Sequence, residues 1–172
     1  MQLNDIVCME TIAEPGFLEK LANTTSGLTK HAFIGDLCVQ AYLYRFNGNS
    51  IKRAEEFFRA ITQIEAISST PSRYYTPPEK LGIFASHYYA MISMRNTIEI
   101  SYDSKNIQVP VIPVEHLIAM KLCSPQIPHS WDIGSLVKTG RDYINSEMIR
   151  GILKSVGKES NFERYKEMLY DL

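Results

Sequence analysis

The fold of this chain is decided by a short apolar run that leads directly into a helical pattern: His31-Ala32-Phe33-Ile34-Gly35-Asp36-Leu37-Cys38-Val39-Gln40-Ala41-Tyr42-Leu43-Tyr44. The apolar residues before Gly35 predict a strand, and Gly35 predicts the tight turn that ends it. Beyond Asp36 the apolar side chains recur at helical spacing, which predicts a helix. This stretch therefore indicates a strand, a turn and a helix in immediate succession.

The chain that follows is predicted to alternate between helix and strand. A helix is predicted over residues 50–67, because apolar residues recur there every three or four positions. Strands are predicted over 87–94 and 97–102, which are rich in aromatic and β-branched residues and are joined by the two-residue turn Arg95-Asn96. A further strand is predicted over 107–112.

Beyond residue 130 the pattern is entirely helical, and three short helices are predicted. Pro125 and Pro128 interrupt both periodicities and mark the join between the two regions. We therefore predict an α+β fold. Residues 1–123 form a core built on a small mixed sheet, and residues 124–172 form a helical region that packs on this core.

The composition restricts the classes of protein to which the chain can belong. Its 172 residues suit one domain, and 45% hydrophobic with 22% charged residues is typical of a globular protein. Because the formal charge is only −1, nucleic-acid binding is not expected. The odd number of cysteines, without paired spacing, predicts buried thiols at Cys8, Cys38 and Cys123 in a reducing compartment. A basic leader and a long apolar run are both missing, so we expect a cytoplasmic protein that makes no use of the membrane.

The common catalytic motifs do not occur in this sequence. It has no serine nucleophile elbow, no P-loop and no dinucleotide-binding glycine pattern. The four histidines are scattered rather than spaced as zinc ligands, and His116 is predicted to be a partly buried structural residue. The main candidate for a phosphate-facing backbone is the turn at Gly35 and Asp36, where a helix begins.

Three segments of the chain resemble the nucleotidyltransferase superfamily, especially its minimal and AbiEii-like toxin branches. The first is the strand, turn and helix around Gly35. The second, residues 109–122, is similar to the family's strand followed by a Leu-Ile-Ala-x-Lys-Leu helix, and the third, residues 131–136, resembles its Lys-Asp-Leu-x-Asp-Leu helix. The order and spacing of the segments extend the resemblance from about His31 to Leu172, and the resemblance implies a nucleotidyltransferase-like fold.

The resemblance also implies a chemistry, which is the Mg²⁺-dependent transfer of a nucleotidyl group by two acids in an Asp-x-Asp strand and a third on a neighbouring strand. Counting on from Asp36 places Asn49-Ser50-Ile51 at the Asp-x-Asp position, so that both acids are missing. A second register makes Glu56 the first acid and replaces the second by Phe58, but it conflicts with the helical period there. Glu99 occupies the place of the third acid, although it also fits a solvent-facing residue between Ile98 and Ile100.

The resemblance to the nucleotidyltransferases also implies three candidate nucleotide-binding residues, which are Gly35, Asp36 and Lys121. The family has Gly or Ser where this chain has Asp36, and a carboxylate there repels a phosphate by roughly 1 to 4 kcal/mol at about 4 Å. Asp36 also fits a simpler role, since the helix dipole stabilises an acid in the first turn. Lys121 matches the family's helix lysine and could reach a phosphate, or it could extend its ammonium group from the surface into solvent.

The functional hypothesis is a degenerate, non-catalytic nucleotidyltransferase-like protein that acts through protein contact or weak ligand binding, as in a toxin-antitoxin or defence pair. It needs no cofactor. The alternative is an active transferase that binds Mg²⁺ and a nucleoside triphosphate through Glu56 and Glu99, with Asp103 as a further ligand. We also expect an exposed aromatic surface at Tyr75 and Tyr88 to mediate self-association or partner binding, unless these tyrosines cover the sheet as core-edge residues.

Overall fold

The computed structural model describes residues 31–49, 60, 65–69, 76–102, 105–124 and 127–170. Over these ranges the chain forms a four-stranded mixed sheet and six α-helices, which confirms the α+β class. In chain order the elements are β1 (His31–Ile34), α1 (Gly35–Phe46), β2 (Glu65–Ser68), a 3-10 helix (Pro78–His87), α2 (Tyr88–Ser93), β3 (Asn96–Tyr102), β4 (Lys105–Val111), α3 (Val114–Leu122), α4 (Ile127–Gly140), α5 (Ser146–Ser155) and α6 (Phe162–Tyr170).

The sheet has the strand order β2-β1-β4-β3. Strands β3 and β4 form an antiparallel hairpin, and β1 is antiparallel to β2, with Ile34 opposite Glu65. At the centre β1 runs parallel to β4, with Phe33 opposite Val111. Because β1 and β4 are parallel, the helices that follow them, α1 and α3, begin at the same edge of the sheet.

The junction between β1 and α1 depends on a glycine. Gly35 has φ +72°, a conformation that side-chain-bearing residues rarely adopt. This backbone lets the buried strand turn directly into α1, whose inner face lies against the sheet. Tyr42 on that face donates a hydrogen bond to the Ile112 carbonyl at 2.8 Å and accepts one from the Asn96 amide at 2.8 Å. The predicted strand, turn and helix are confirmed.

The predicted strand over 87–94 is wrong. The chain is a 3-10 helix up to His87 and an α-helix, α2, from Tyr88 to Ser93. Tyr88, Met91 and Ile92 are buried at positions that suit one face of a helix, and this spacing determines the structure despite the strand-like composition. Arg95-Asn96 is consequently not a hairpin turn, and the hairpin is formed instead by the other two predicted strands, which are confirmed as β3 and β4.

The helix predicted over 50–67 is wrong at its C-terminal end. Residues 65–68 form β2, paired with β1 along the whole of its length. Ala66 and Ile67 are both buried, but in a strand rather than in the helix that the apolar spacing predicted. Most of the remainder of this segment lies outside the described residues.

The C-terminal helices predicted beyond residue 130 are confirmed, and they share one hydrophobic core with the sheet. Helix α4 packs on α1, and Phe46 at the end of α1 stacks between Tyr42 and Tyr143, which lies in the 3-10 turn just after α4. Gly140 permits this contact, because a Cβ atom at that position would lie 2.3 Å from the Phe46 ring. No helix in the described part of the chain is long and apolar enough to cross a membrane.

The cysteines only partly follow the prediction. Cys38 is a fully buried residue of α1, and burial raises the pKa of its thiol well above the usual value. Cys123 is half-buried, and burial raises its pKa as well. Cys8 lies outside the described residues. Both described thiols are held in the unreactive protonated form at neutral pH.

Candidate functional site

The candidate site is a cavity of about 750 Å³ at the edge of the sheet where β1 and β4 end. Its floor carries Gly35 and Asp36 from the start of α1, with Leu117, Met120 and Lys121 from α3. Open α/β sheets commonly bind ligands beyond the carboxyl ends of their parallel strands, and this volume is in the range of small-molecule pockets. The cavity is therefore both in the place and of the size expected for a ligand site.

One wall of the cavity is the 3-10 helix Pro78–His87, which we call the strap. It contributes Lys80, Leu81, Gly82, Ile83 and Phe84 to the lining. Among the strap's residues only Phe84 is buried in the core. The wall therefore presents apolar side chains and one cation to the cavity, and Phe84 and Leu81 hold it against the core.

A buried ion cluster joins the floor of the cavity to α4. The Lys121 side chain is 6% exposed, and its Nζ lies 2.7 Å from Asp132 Oδ2 and 3.5 Å from Asp36 Oδ1. Asp132 is 27% exposed and Asp36 60% exposed. A buried ammonium group needs partners of this kind, because desolvation would otherwise destabilise its charged form. Lys121 is thus an internally neutralised cation, not a surface residue extended into solvent.

A second carboxylate faces the same part of the cavity. Glu65, at the start of β2, places its Oε2 atom 3.5 Å from the position that a Cβ atom at Gly35 would occupy. The antiparallel pairing of Ile34 with Glu65 brings this side chain beside the turn. Asp36 and Glu65 together make the mouth of the cavity acidic, and Lys80 on the strap is the cation that faces it.

The residues proposed from the sequence divide into two sets. Gly35, Asp36 and Lys121 line the cavity together. Asn49 does not: it lies beyond the C-terminus of α1, and a helix of 12 residues separates it from Gly35 by roughly 18 Å.

Glu99 is the other residue that the structure places away from the cavity. It faces solvent on β3, two strands from β1, and its carboxylate accepts a hydrogen bond from Gln108 on β4. Ile98 and Ile100 on either side of it are buried, so Glu99 occupies the solvent-facing position of an alternating strand. Glu56 and Asp103 lie outside the described residues. Among the described residues no group of three His, Cys, Asp or Glu side chains converges.

The aromatic surface proposed from the sequence is corrected at Tyr88. Its side chain is 1% exposed, and its hydroxyl donates to the Thr76 carbonyl at 2.9 Å and accepts from the Ser68 amide at 3.0 Å. Tyr88 is therefore a core residue that ties β2 to the start of the strap. Its neighbour Tyr89 is 68% exposed, and Tyr75 lies outside the described residues.

Two carboxylates of the site escaped the sequence reasoning. Glu65 was hidden in a stretch with helical periodicity, and only its pairing with β1 places it beside Gly35. Asp132 lies on α4, 11 residues after Lys121, and no pattern in the sequence pairs the two. Comparison of the chain with protein-family models, curated protein sequences and solved structures gives no significant match.

Proposed function

We propose that this chain is a non-catalytic, nucleotidyltransferase-like protein that acts by binding a ligand or a partner segment in the cavity between the strap and α3. As in the resembling toxin branch, the binding event belongs to a toxin-antitoxin or defence pair. The observation that carries the proposal is the internal neutralisation of Lys121 by Asp36 and Asp132.

The ion cluster supports binding without phosphoryl chemistry. A lysine that served a triphosphate would present an unpaired ammonium group to it, whereas Lys121 already has two carboxylate partners. Asp36 adds repulsion, because it stands in the first turn of α1, where backbone N–H groups would otherwise meet the phosphates. Both features oppose a polyphosphate ligand.

The lining of the cavity supports a ligand that is partly apolar. The lining combines apolar side chains with a few charged groups. The apolar ones include Leu81, Ile83, Leu117 and Met120, and the charged ones are Asp36, Glu65, Lys80 and Lys121. Pockets for small molecules commonly combine an apolar surface with a few polar groups that fix orientation. A molecule or peptide side chain with an apolar body and one polar end fits this arrangement.

The test uses the methyl group of Met120 as a reporter. We expect that small amphipathic fragments at millimolar concentration shift the methyl signal of Met120 in NMR spectra, and that Met120→Trp, which fills the cavity, abolishes their binding. Met94→Trp is the matched control, because Met94 is exposed outside the cavity. Mg²⁺-ATP should bind more weakly than about 100 μM, or roughly 5.5 kcal/mol of binding free energy, in a calorimetric titration. Tighter binding of Mg²⁺-ATP, or a Met120 signal that no fragment moves, would contradict the proposal.

An active transferase remains the second candidate function, since two acids, Asp36 and Glu65, share the cavity with Gly35. Carboxylate oxygens are suitable ligands for Mg²⁺, and these two residues would act in place of Glu56 and Glu99. The test is the release of pyrophosphate from nucleoside triphosphates with Mg²⁺ or Mn²⁺. Activity that disappears in Glu65→Gln and persists in Glu99→Gln would establish this alternative.

A further inference from the structure

A chain of three hydrogen bonds connects the end of the strap to the two helices beneath it. His87, the last residue of the strap, has its Nδ1 atom 3.2 Å from Nε2 of His116 on α3. Its Nε2 atom lies 2.7 Å from the hydroxyl of Ser155 at the end of α5, and this hydroxyl donates to the Ile152 carbonyl at 2.6 Å. We call this chain the histidine relay.

The direction of the relay follows from its last bond. Because the Ser155 hydroxyl gives its proton to a carbonyl, it accepts from His87, which therefore carries its proton on Nε2. The Nδ1 atom of His87 then carries a lone pair and accepts a hydrogen bond, so His116 donates from its Nε2 atom. The remaining nitrogen, Nδ1 of His116, is buried and has no hydrogen-bond partner among the described residues.

This direction determines where an added proton can go. A proton on His116 places an N–H on its Nδ1 atom. A proton on His87 turns its Nδ1 into a donor, and His116 can accept from it only by moving its own hydrogen to Nδ1. Both states bury an N–H without an acceptor, which costs about 1 to 3 kcal/mol. The protonated protein avoids this cost when the hydrogen bond between the two histidine rings breaks.

Among the described residues, no acidic side chain forms an ion pair that would stabilise a proton added to His87 or His116. Within the described ranges, His87 contacts Phe84 from the strap, His116 from α3 and Ser155 from α5. In the described part of the chain, no ion pair includes either histidine. Glu115, next to His116, uses its carboxylate to accept from the Asn145 amide at 3.1 Å.

The relay adds a polar attachment to the strap, beside the buried Phe84 and the partly buried Leu81. Thr76, just before the strap, is tied to β2 through its amide and the Ala66 carbonyl. Between this point and His87, only Phe84 is buried, and Gly82 at φ +56° interrupts the helix. Breaking the bond between the rings removes the tie from the strap to α3, while the buried Phe84 and the bond from His87 to Ser155 remain.

We propose that the histidine relay is a proton-sensitive latch, and that acidification loosens the strap and so increases access to the cavity. The latch itself is independent of any ligand, and only its effect on binding rests on the proposed function. A ligand held under the strap is thus retained at neutral pH and released in acid.

The expected size of the effect follows from His116. Burial and the neighbouring His87 lower the pKa of His116 from 6.5 to about 4. When opening restores the ordinary pKa of His116, the equilibrium constant for opening is about 30-fold greater at about pH 5 than at about pH 7.5. Acid favours opening of the strap because the open state binds the proton and the latched state does not.

The latch is tested by hydrogen exchange with mass spectrometry on the full chain at both pH values, after correction for the intrinsic exchange rates. We expect the opening equilibrium of residues 78–87 to rise 10- to 30-fold in acid, while residues 162–170 serve as an internal reference. His116→Gln removes the ring whose pKa is lowered and keeps a donor and an acceptor without titrating, so it should abolish the pH dependence. A strap that opens equally at both pH values, or the same pH dependence in His116→Gln, would overturn the proposal.

A second measurement does not depend on the stability of a variant. Nitrogen-15 NMR of the imidazole rings in the wild-type protein at neutral pH should show the proton on Nε2 in both His87 and His116. A proton on Nδ1 of His116 would refute the relay. Because neither measurement contains a ligand, the latch can fail while the proposed binding function stands, and the reverse is also true.

Discussion

The ion cluster of Lys121 makes a quantitative prediction about stability. Replacing Asp132 by Asn removes the partner at 2.7 Å and leaves the ammonium group with Asp36, which lies at 3.5 Å and is mostly exposed. Removing one member of a buried ion pair costs about 3 to 5 kcal/mol, and the remaining carboxylate reduces this loss. We therefore expect Asp132→Asn to lower the free energy of unfolding by about 2 to 3 kcal/mol.

The other members of the cluster provide matched controls. Asp36→Asn removes a more distant, exposed partner and should cost no more than about 1 kcal/mol. Adding Lys121→Met to Asp132→Asn removes the unpaired cation, so the double variant should regain about 1 to 2 kcal/mol relative to Asp132→Asn. This rescue distinguishes an unpaired charge from a general loss of packing.

Urea denaturation followed by circular dichroism measures these differences, and a thermal melt gives an independent check. At about 2 to 4 °C per kcal/mol for a chain of this size, Asp132→Asn should melt roughly 5 to 10 °C lower than the wild type. The reasoning is refuted if Asp36→Asn costs as much as Asp132→Asn, or if the double variant is less stable than Asp132→Asn.

Three further predictions concern the core and the pH dependence of stability. Gly140→Ala should cost about 1 to 3 kcal/mol in denaturant unfolding because its Cβ would overlap an aromatic ring of α1, whereas Gly134→Ala in the same helix has open space and should be neutral or stabilising. Tyr88→Phe removes the hydroxyl from its backbone partners and should cost about 1 to 3 kcal/mol, while the same change at the exposed Tyr89 should have no measurable effect. The lowered pKa of His116 means that the unfolded chain binds a proton that the native state does not, so stability should be greatest above about pH 6.5 and fall by about 1 to 3 kcal/mol towards pH 4; in a His116→Gln variant this loss should be smaller. An unchanged slope in that variant would assign the pH dependence to other groups.

The sequence predicted those elements whose hydrophobic pattern agrees with their structure. Burial of Ile98 and Ile100 on either side of exposed Glu99 is the alternation of a strand with one buried face, and it agrees with the aromatic and β-branched composition from which β3 was predicted. The junction at Gly35 was predicted because a strand that turns at once into a helix needs a residue that tolerates positive φ.

Tertiary pairing explains what the sequence could not show. Glu65 belongs to a short strand that is completed only by β1, and its local pattern continues the period of a helix. At Tyr88 the aromatic and β-branched composition favoured a strand, but the placement of apolar residues around the core favoured a helix. The partners of Lys121 lie on α1 and α4, so no local pattern could show that its charge is neutralised.

The parallel pairing of β1 with β4 also has a consequence for how the chain acquires its structure. Phe33 and Val111 are roughly 80 residues apart, whereas β3 and β4 are joined by a short connection. Contacts between distant residues form slowly because a long loop must close first, so the hairpin should be ordered early and β1 should join it late. During synthesis, β1 emerges from the ribosome well before its central partner exists. The edge of β1 that pairs with β4 stays unpaired until β4 has been synthesised. During this stage the nascent chain is most susceptible to misassembly with other chains.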